Sequence, residues 1–178
     1  MQTISADLLL EKYSHGYRDF SHLNLSQINL FEAYLPDINL QGCDLSHANL
    51  AYATLSRANF EHAQLHNAQL QKSWLDSAQL QAAQLQQASL LGTELVYAHA
   101  CNANLMHADL QNANLQQANL TGANLTGANL TGANLEQCIL EKTELARCNL
   151  FRARCVDFNN AQIHSTTILP NGYPGVAE

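Results

Sequence analysis

Ala118-Asn119-Leu120-Thr121-Gly122 is followed without a gap by Ala123-Asn124-Leu125-Thr126-Gly127 and Ala128-Asn129-Leu130-Thr131-Gly132, one five-residue unit three times over. Working outward, the leucine of that unit keeps its phase in both directions. Counting every fifth residue from Phe20 to Cys155 gives 28 slots, of which 24 are Leu, two are Phe (Phe20, Phe60), and the others are Ala100 and Cys155. Two residues before most slots the side chain is small, chiefly alanine, as in Ala48, Ala53, Ala58, Ala63 and Ala68 and onward to Ala133. A period of five fits neither a helix at about 3.6 nor a strand at about 2. It calls for a repeat architecture, in which each unit buries its apolar face only against its neighbours.

Positions i (the slot) and i−2 therefore point inward, and i−1, i+1 and i+2 face water. Leu at i fills the centre of the shaft. Ala at i−2 lies where the wall comes close to the axis, so that a larger side chain would overpack it. The outward positions are mostly polar, rich in Asn, Gln, Thr, Ser and Asp, as on a solvated wall. Gly42, Gly92, Gly122, Gly127 and Gly132 all fall at i+2, where a corner favours a residue tolerant of positive φ.

The unit A(N/D)LXX resembles that of the pentapeptide-repeat family over about residues 18–155. The resemblance implies an all-β solenoid, a right-handed quadrilateral (four-sided) β-helix in which four units make one coil. The slots then give about seven coils, a rod about 34 Å long at roughly 4.8 Å per coil. The opening Ala6-Asp7-Leu8-Leu9, Tyr13 and Gly16-Tyr17-Arg18-Asp19-Phe20 is similar to the N-terminal segment of cyanobacterial members, including the regulator of heterocyst differentiation.

A solenoid needs covers at both ends. Ser5 is placed to N-cap a short helix from Ala6 to about Tyr13, with Leu8, Leu9 and Tyr13 over the first coil. The phase breaks after Leu150, and Phe158, Ile163 and Ile168 resume the five-residue spacing on a shifted register. The expected organisation is an N-terminal cap with a short helix at 1–17, the repeat β-helix at 18–155, an irregular last coil and cap at 156–172, and a mobile tail at 173–178. Ala100 is the one truncated slot inside the rod, and compensation is expected there, by the backbone moving in or Tyr97 turning inward, rather than a pocket.

The five cysteines show no C-x-x-C spacing, and their number is odd, so neither a disulfide framework nor structural zinc is expected. His99 with Cys101, and His47 with His66, lack companions at ligand spacing; no metal and no cofactor is assigned. No nucleophile has a base and an orienting group beside it, and a convex rod offers no cleft that excludes water, so no enzyme is expected. The N-terminus lacks a basic segment followed by an apolar run, and no apolar run approaches 18 residues; a cytoplasmic protein without a membrane span is the expectation.

Surface remains. Folding the numbering by twenty, the coil length implied by the resemblance, sorts outward residues into columns. One i−1 column reads Tyr34, Thr54, Trp74, Glu94, Asn114, Asn134, Arg154, and Phe31, Tyr52 and Tyr97 fall on that face or beside it. Trp and Tyr are favoured interface anchors, so Phe31, Tyr34, Tyr52, Trp74 and Tyr97 form the candidate protein-binding patch; local packing of the same rings on the wall is the alternative. The function expected is a non-enzymatic protein-interaction module or regulator, with a partner that the resemblance points to among signalling or transcriptional proteins. The rod itself is expected as a monomer or a weak end-to-end dimer. A second reading also follows from the resemblance, a DNA-mimicking modulator of a type II topoisomerase (gyrase). Net charge −7 points that way, but the acidic residues spread over all four faces and Leu110 to Leu135 carries no charge. Direct nucleic-acid binding is not expected, because Lys142, Arg147, Arg152 and Arg154 are set against Glu136, Glu141 and Glu144.

Overall fold

The computed structural model describes residues 1–154, 157, 158 and 160–175. The chain climbs as a four-sided solenoid. Each i−1 residue pairs in parallel with the i−1 residue twenty positions on, from Asp19 with Asn39 to Asn134 with Arg154. Slot and i−2 residues fill a single continuous core.

The unit explains itself residue by residue. At the corner the i+2 residue takes the left-handed conformation, at φ 58° for His22, 59° for Tyr52 and 70° for Gly127. The next i−2 N–H then donates back to the slot carbonyl, as from Ala128 to Leu125 at 2.8 Å. Asn at i−1 clamps the same corner, its Oδ1 accepting from the N–H two residues on: Thr121 to Asn119 at 3.0 Å, Thr131 to Asn129 at 3.2 Å. Along the wall each slot N–H donates to the coil below (Leu50 to the Gln69 carbonyl, 2.7 Å) and each i−1 N–H to the coil above (Asn49 to the Ile28 carbonyl, 2.9 Å). Where a polar residue takes the inward i−2 position, its hydroxyl donates to a slot carbonyl: one coil up for Thr93 to Leu70 and Thr143 to Leu120, both at 2.8 Å, and in its own coil for Ser73 to Leu70 at 2.7 Å. Buried hydroxyls are thereby satisfied.

Positive φ alone does not explain the glycines, because most corners hold other residues at the same φ. Gly127 has a second reason. A Cβ there would stand 2.4 Å from Nδ1 of His107, whose ring from the coil above lies over the glycine. His22 sits in the same way over Gly42, and Asn102 and Asn112 over Gly122 and Gly132, whereas Gly92 would meet nothing closer than Lys72 Cγ at 3.7 Å. Gly127→Ala is expected to destabilise by about 1 kcal/mol more than Gly92→Ala, which carries only the left-handed backbone cost of about 1–2 kcal/mol. Adding His107→Ala should erase that difference in urea unfolding; a difference that persists would refute the seat.

At the N-terminus, α1 (Ala6–Ser14) starts at Ser5, whose Oγ accepts from the Leu8 N–H at 3.2 Å. Asp7 in its first turn and Lys12 in its last suit the helix dipole. Leu9 is 0% exposed and belongs to the core, while Leu8 faces out. The Tyr13 hydroxyl donates to the Pro36 carbonyl at 2.6 Å, and the Arg18 guanidinium lies 3.8 Å above the Tyr13 ring. Ahead of the helix, Thr3 pairs with Asn24.

At the other end the register changes: Glu144 pairs with Gln162 and Asn149 with Ile168. Phe158 and Ile163 pack against the core as the shifted spacing expects, but Ile168 does not. It stands 40% exposed in the i−1 position, and Thr167 is the buried residue, its hydroxyl donating to the Leu145 carbonyl at 2.7 Å. One extra residue between Ile163 and Leu169 moves the side chains by one place. Beyond the turn, the Leu169 N–H donates to the Tyr173 carbonyl and the Gly175 N–H to the Thr167 carbonyl, so 173–175 fold back on the last coil. Cys155, expected in an inward slot, and 176–178 of the expected tail lie outside the described residues.

Ala100 is not compensated, contrary to expectation. Its N–H keeps the ladder bond to the Asn119 carbonyl at 2.8 Å, and Tyr97 remains exposed. A cavity of about 20 Å³ results, lined by Leu80, Leu95, Ala100, Leu115, Leu120 and other aliphatic side chains. With a wholly apolar wall it stays dry. The hydrogen bonds above and below Ala100 fix the wall more strongly than a missing isobutyl group pulls it.

Candidate functional site

The five candidate rings all surround one face. Its central column is Tyr34, Thr54, Trp74 and Glu94, paired in that order. Tyr34 is 71% exposed and Trp74 53%, two coils apart, about 10 Å at the usual ladder spacing. Phe31 and Tyr52 occupy one bordering corner, and Tyr97, 55% exposed, the opposite one, lower on the rod. These positions are dictated locally: Tyr34 and Trp74 are i−1 residues, and Tyr52 and Tyr97 take the left-handed corner conformation at φ 59° and 58°.

The structure divides the set. Phe31 and Tyr52 meet edge to face, their centroids 5.7 Å apart, and Lys72 Nζ lies 5.8 Å above the Tyr52 ring. These two rings pack locally. Among the described residues no ring contact joins Tyr34, Trp74 or Tyr97 to another ring. All five rings present area to solvent, but those three do so without a ring partner.

Two carboxylates belong to the same face. Glu94 lies directly below Trp74, its Oε2 accepting from Asn114 Nδ2 at 2.8 Å. Asp76 is half-buried two residues beyond Trp74, hydrogen-bonded by its own backbone N–H and by Ser56. Burial lifts the Asp76 carboxyl above its ordinary range, and the charge of Glu94 adds to the lift. The column reading contains Glu94, but sequence reasoning gave neither carboxylate a part; the signal was their adjacency to the only tryptophan.

Elsewhere the surface holds less chemistry. Burial pushes the Cys138 and Cys148 thiols up to about 12 and Cys43 to about 11, which leaves them as unreactive fillers of the i−2 position. Among the described residues no three of His, Cys, Asp and Glu gather as metal ligands, and no helix is long and apolar enough to cross a membrane. Lys142, Arg147 and Arg152 stand at successive corners of one coil, Lys142 Nζ lying 3.6 Å from Glu141.

The family description "pentapeptide repeats" matches in eight copies, over residues 38–75, 94–127, 103–141 and 128–167. Among solved structures, the chain is similar to HetL, a pentapeptide repeat protein involved in heterocyst differentiation regulation from the cyanobacterium Nostoc sp. strain PCC 7120. Identity there is 25%, over 97% of this chain and 100% of that one, at a TM-score of 0.34. A pentapeptide repeat protein from the cyanobacterium Cyanothece 51142 is 34% identical, over 62% of this chain and 86% of that one, with a TM-score of 0.32. QnrB1, a plasmid-mediated fluoroquinolone resistance protein, is 18% identical, over 81% of this chain and 78% of that one, with a TM-score of 0.42. No curated protein sequence matched the chain.

Proposed function

The chain belongs to the pentapeptide-repeat family, and from that premise we propose that it is a non-enzymatic protein-interaction module or regulator acting through the outer face of a right-handed rod of about seven coils. One observation carries this reading: Tyr34, Trp74 and Tyr97 are held exposed around a single face, with the partly exposed pair Phe31 and Tyr52 on its bordering corner. Large rings exposed on a rigid wall lose little conformational freedom when a partner covers them, which is why Trp and Tyr dominate interface energetics. Rigidity comes from the ladder beneath them. The partner is a protein, of a signalling or transcriptional kind by analogy with the heterocyst regulator. The protein acts in the cytoplasm, as a monomer or a weak end-to-end dimer, and contacts neither membrane nor nucleic acid directly. In support of the last point, the basic corners Lys142 and Arg147 have Glu141 and Glu144 beside them.

The test is capture from a cyanobacterial lysate with wild type and Trp74→Ala, at low and moderate salt. Trp74 is exposed, so the variant should fold as the wild type does and lose its partner by at least about thirtyfold, the scale of an interface hot spot. A partner bound equally by Trp74→Ala would remove the patch. Gyrase subunits recovered at low salt, washed off by salt and indifferent to Trp74, would favour the DNA-mimic alternative, since charge mimicry is screened and aromatic docking is not.

A further inference from the structure

The cations beside this face are already engaged, whereas among the described residues its carboxylates hold no cation. Arg57 makes a bidentate pair with Asp37, at 2.7 Å for each bond, and Lys72 lies over Tyr52. Among the described residues the ion pairs involve Asp37, Glu141 and Glu144, never Asp76 or Glu94. Two half-buried carboxylates without a cation thus flank an exposed indole, one below it and one beside it. Their hydrogen-bond partners are neutral, Ser56 and its own backbone N–H for Asp76 and Asn114 for Glu94, which leaves acceptor capacity for a cation.

Resting on the docking reading above, we propose that Trp74, Asp76 and Glu94 form a seat for an arginine side chain of the partner protein, within a basic segment that runs along this face. The guanidinium plane lies on the indole, and its N–H groups donate to the carboxylates on either side. Arginine fits better than lysine, because a planar, weakly hydrated cation both stacks on a ring and forks between oxygens. The overall charge of −7 adds long-range attraction for a basic segment. Occupation also relieves the mutual repulsion of Asp76 and Glu94.

Trp74 is the only tryptophan in the chain, so its emission reports on this seat alone. The experiment titrates the full-length protein with a synthetic Gly-Arg repeat peptide and with its citrulline analogue, which keeps the shape and loses the charge. We expect a saturable change in Trp74 emission with the arginine peptide. Its Kd should rise about tenfold for the citrulline peptide, and by a similar factor for the double variant Asp76→Asn, Glu94→Gln. Both substitutions are isosteric, and circular dichroism should match the wild type. Absence of a saturable change overturns the proposal, as does equal affinity for the citrulline peptide or for the double variant. If the arginine peptide fails while capture still depends on Trp74, the seat is lost and the docking face stands. If capture is indifferent to Trp74, the docking face itself is lost.

Discussion

Leu120→Ala is expected to be the most damaging truncation in the shaft, costing about 5 kcal/mol, while Leu45→Ala costs about 3 kcal/mol. Both leucines are fully buried slot residues, and the difference lies in the column. Leu120 stands one coil below Ala100, where an apolar cavity of about 20 Å³ already exists. A second missing isobutyl group joins the first void, and the cost of a truncation rises with the cavity that remains. Neither wall can collapse inward, because the Ala100 N–H bonds the Asn119 carbonyl and the Leu120 N–H bonds the Ile139 carbonyl, at 2.8 and 2.9 Å. Ala100→Leu should act in the opposite sense and stabilise the rod by about 2 kcal/mol, since the cavity is shaped by aliphatic neighbours. Urea unfolding of the three variants decides the matter. Equal losses for Leu120→Ala and Leu45→Ala, or a destabilising Ala100→Leu, would show that the shaft repacks.

A second large effect is expected at the N-terminal end. Leu9→Asp places an unpaired carboxylate where the side chain is fully enclosed, and α1 should come away from the first coil at a cost of at least about 3 kcal/mol. Phe20, Leu25, Leu30 and Leu35 would then face water as the open end of a solenoid, which invites end-to-end association. Light scattering should rise with protein concentration for Leu9→Asp and stay flat for Leu8→Asp, on the exposed side of the same helix. Identical behaviour of the two variants would mean that α1 does not protect the end.

Most of the fold is legible because one side-chain type recurs at one spacing. Leucine at every fifth position and alanine two residues earlier state which way each residue points, and folding the numbering by twenty turns that into neighbours. The column Tyr34, Thr54, Trp74, Glu94 read from sequence is the column in the structure. Legibility ends where the repeat ends. Ile168 has the spacing of a core residue, but a single extra residue before Leu169 turns it outward, and no local propensity marks such an insertion. Ala100 fails for another reason, since a void is decided by a competition between ladder hydrogen bonds and packing that composition does not express. Positive φ explains only part of the glycine pattern, although the partner of each seat can be found one coil earlier in the sequence: His107 for Gly127, Asn102 for Gly122. At the candidate site the rings were visible from sequence, whereas the local pairing of Phe31 with Tyr52 and the absence of an ion pair at Asp76 and Glu94 among the described residues needed the geometry.

The corner at every fifth residue makes the outside of this protein a matter of angular phase. A further Ala-Asn-Leu-Thr-Gly inserted after Gly132 would preserve every inward contact type and every ladder bond type, yet all residues beyond it would turn by one face. Arg154, now in the column of Trp74, would then look out from the neighbouring side. Four such units would lengthen the rod and restore every column. Duplication of single pentapeptides is therefore a way to reorient one stretch of surface against another while the interior registers no change, and selection on such a chain acts on bearing as much as on composition.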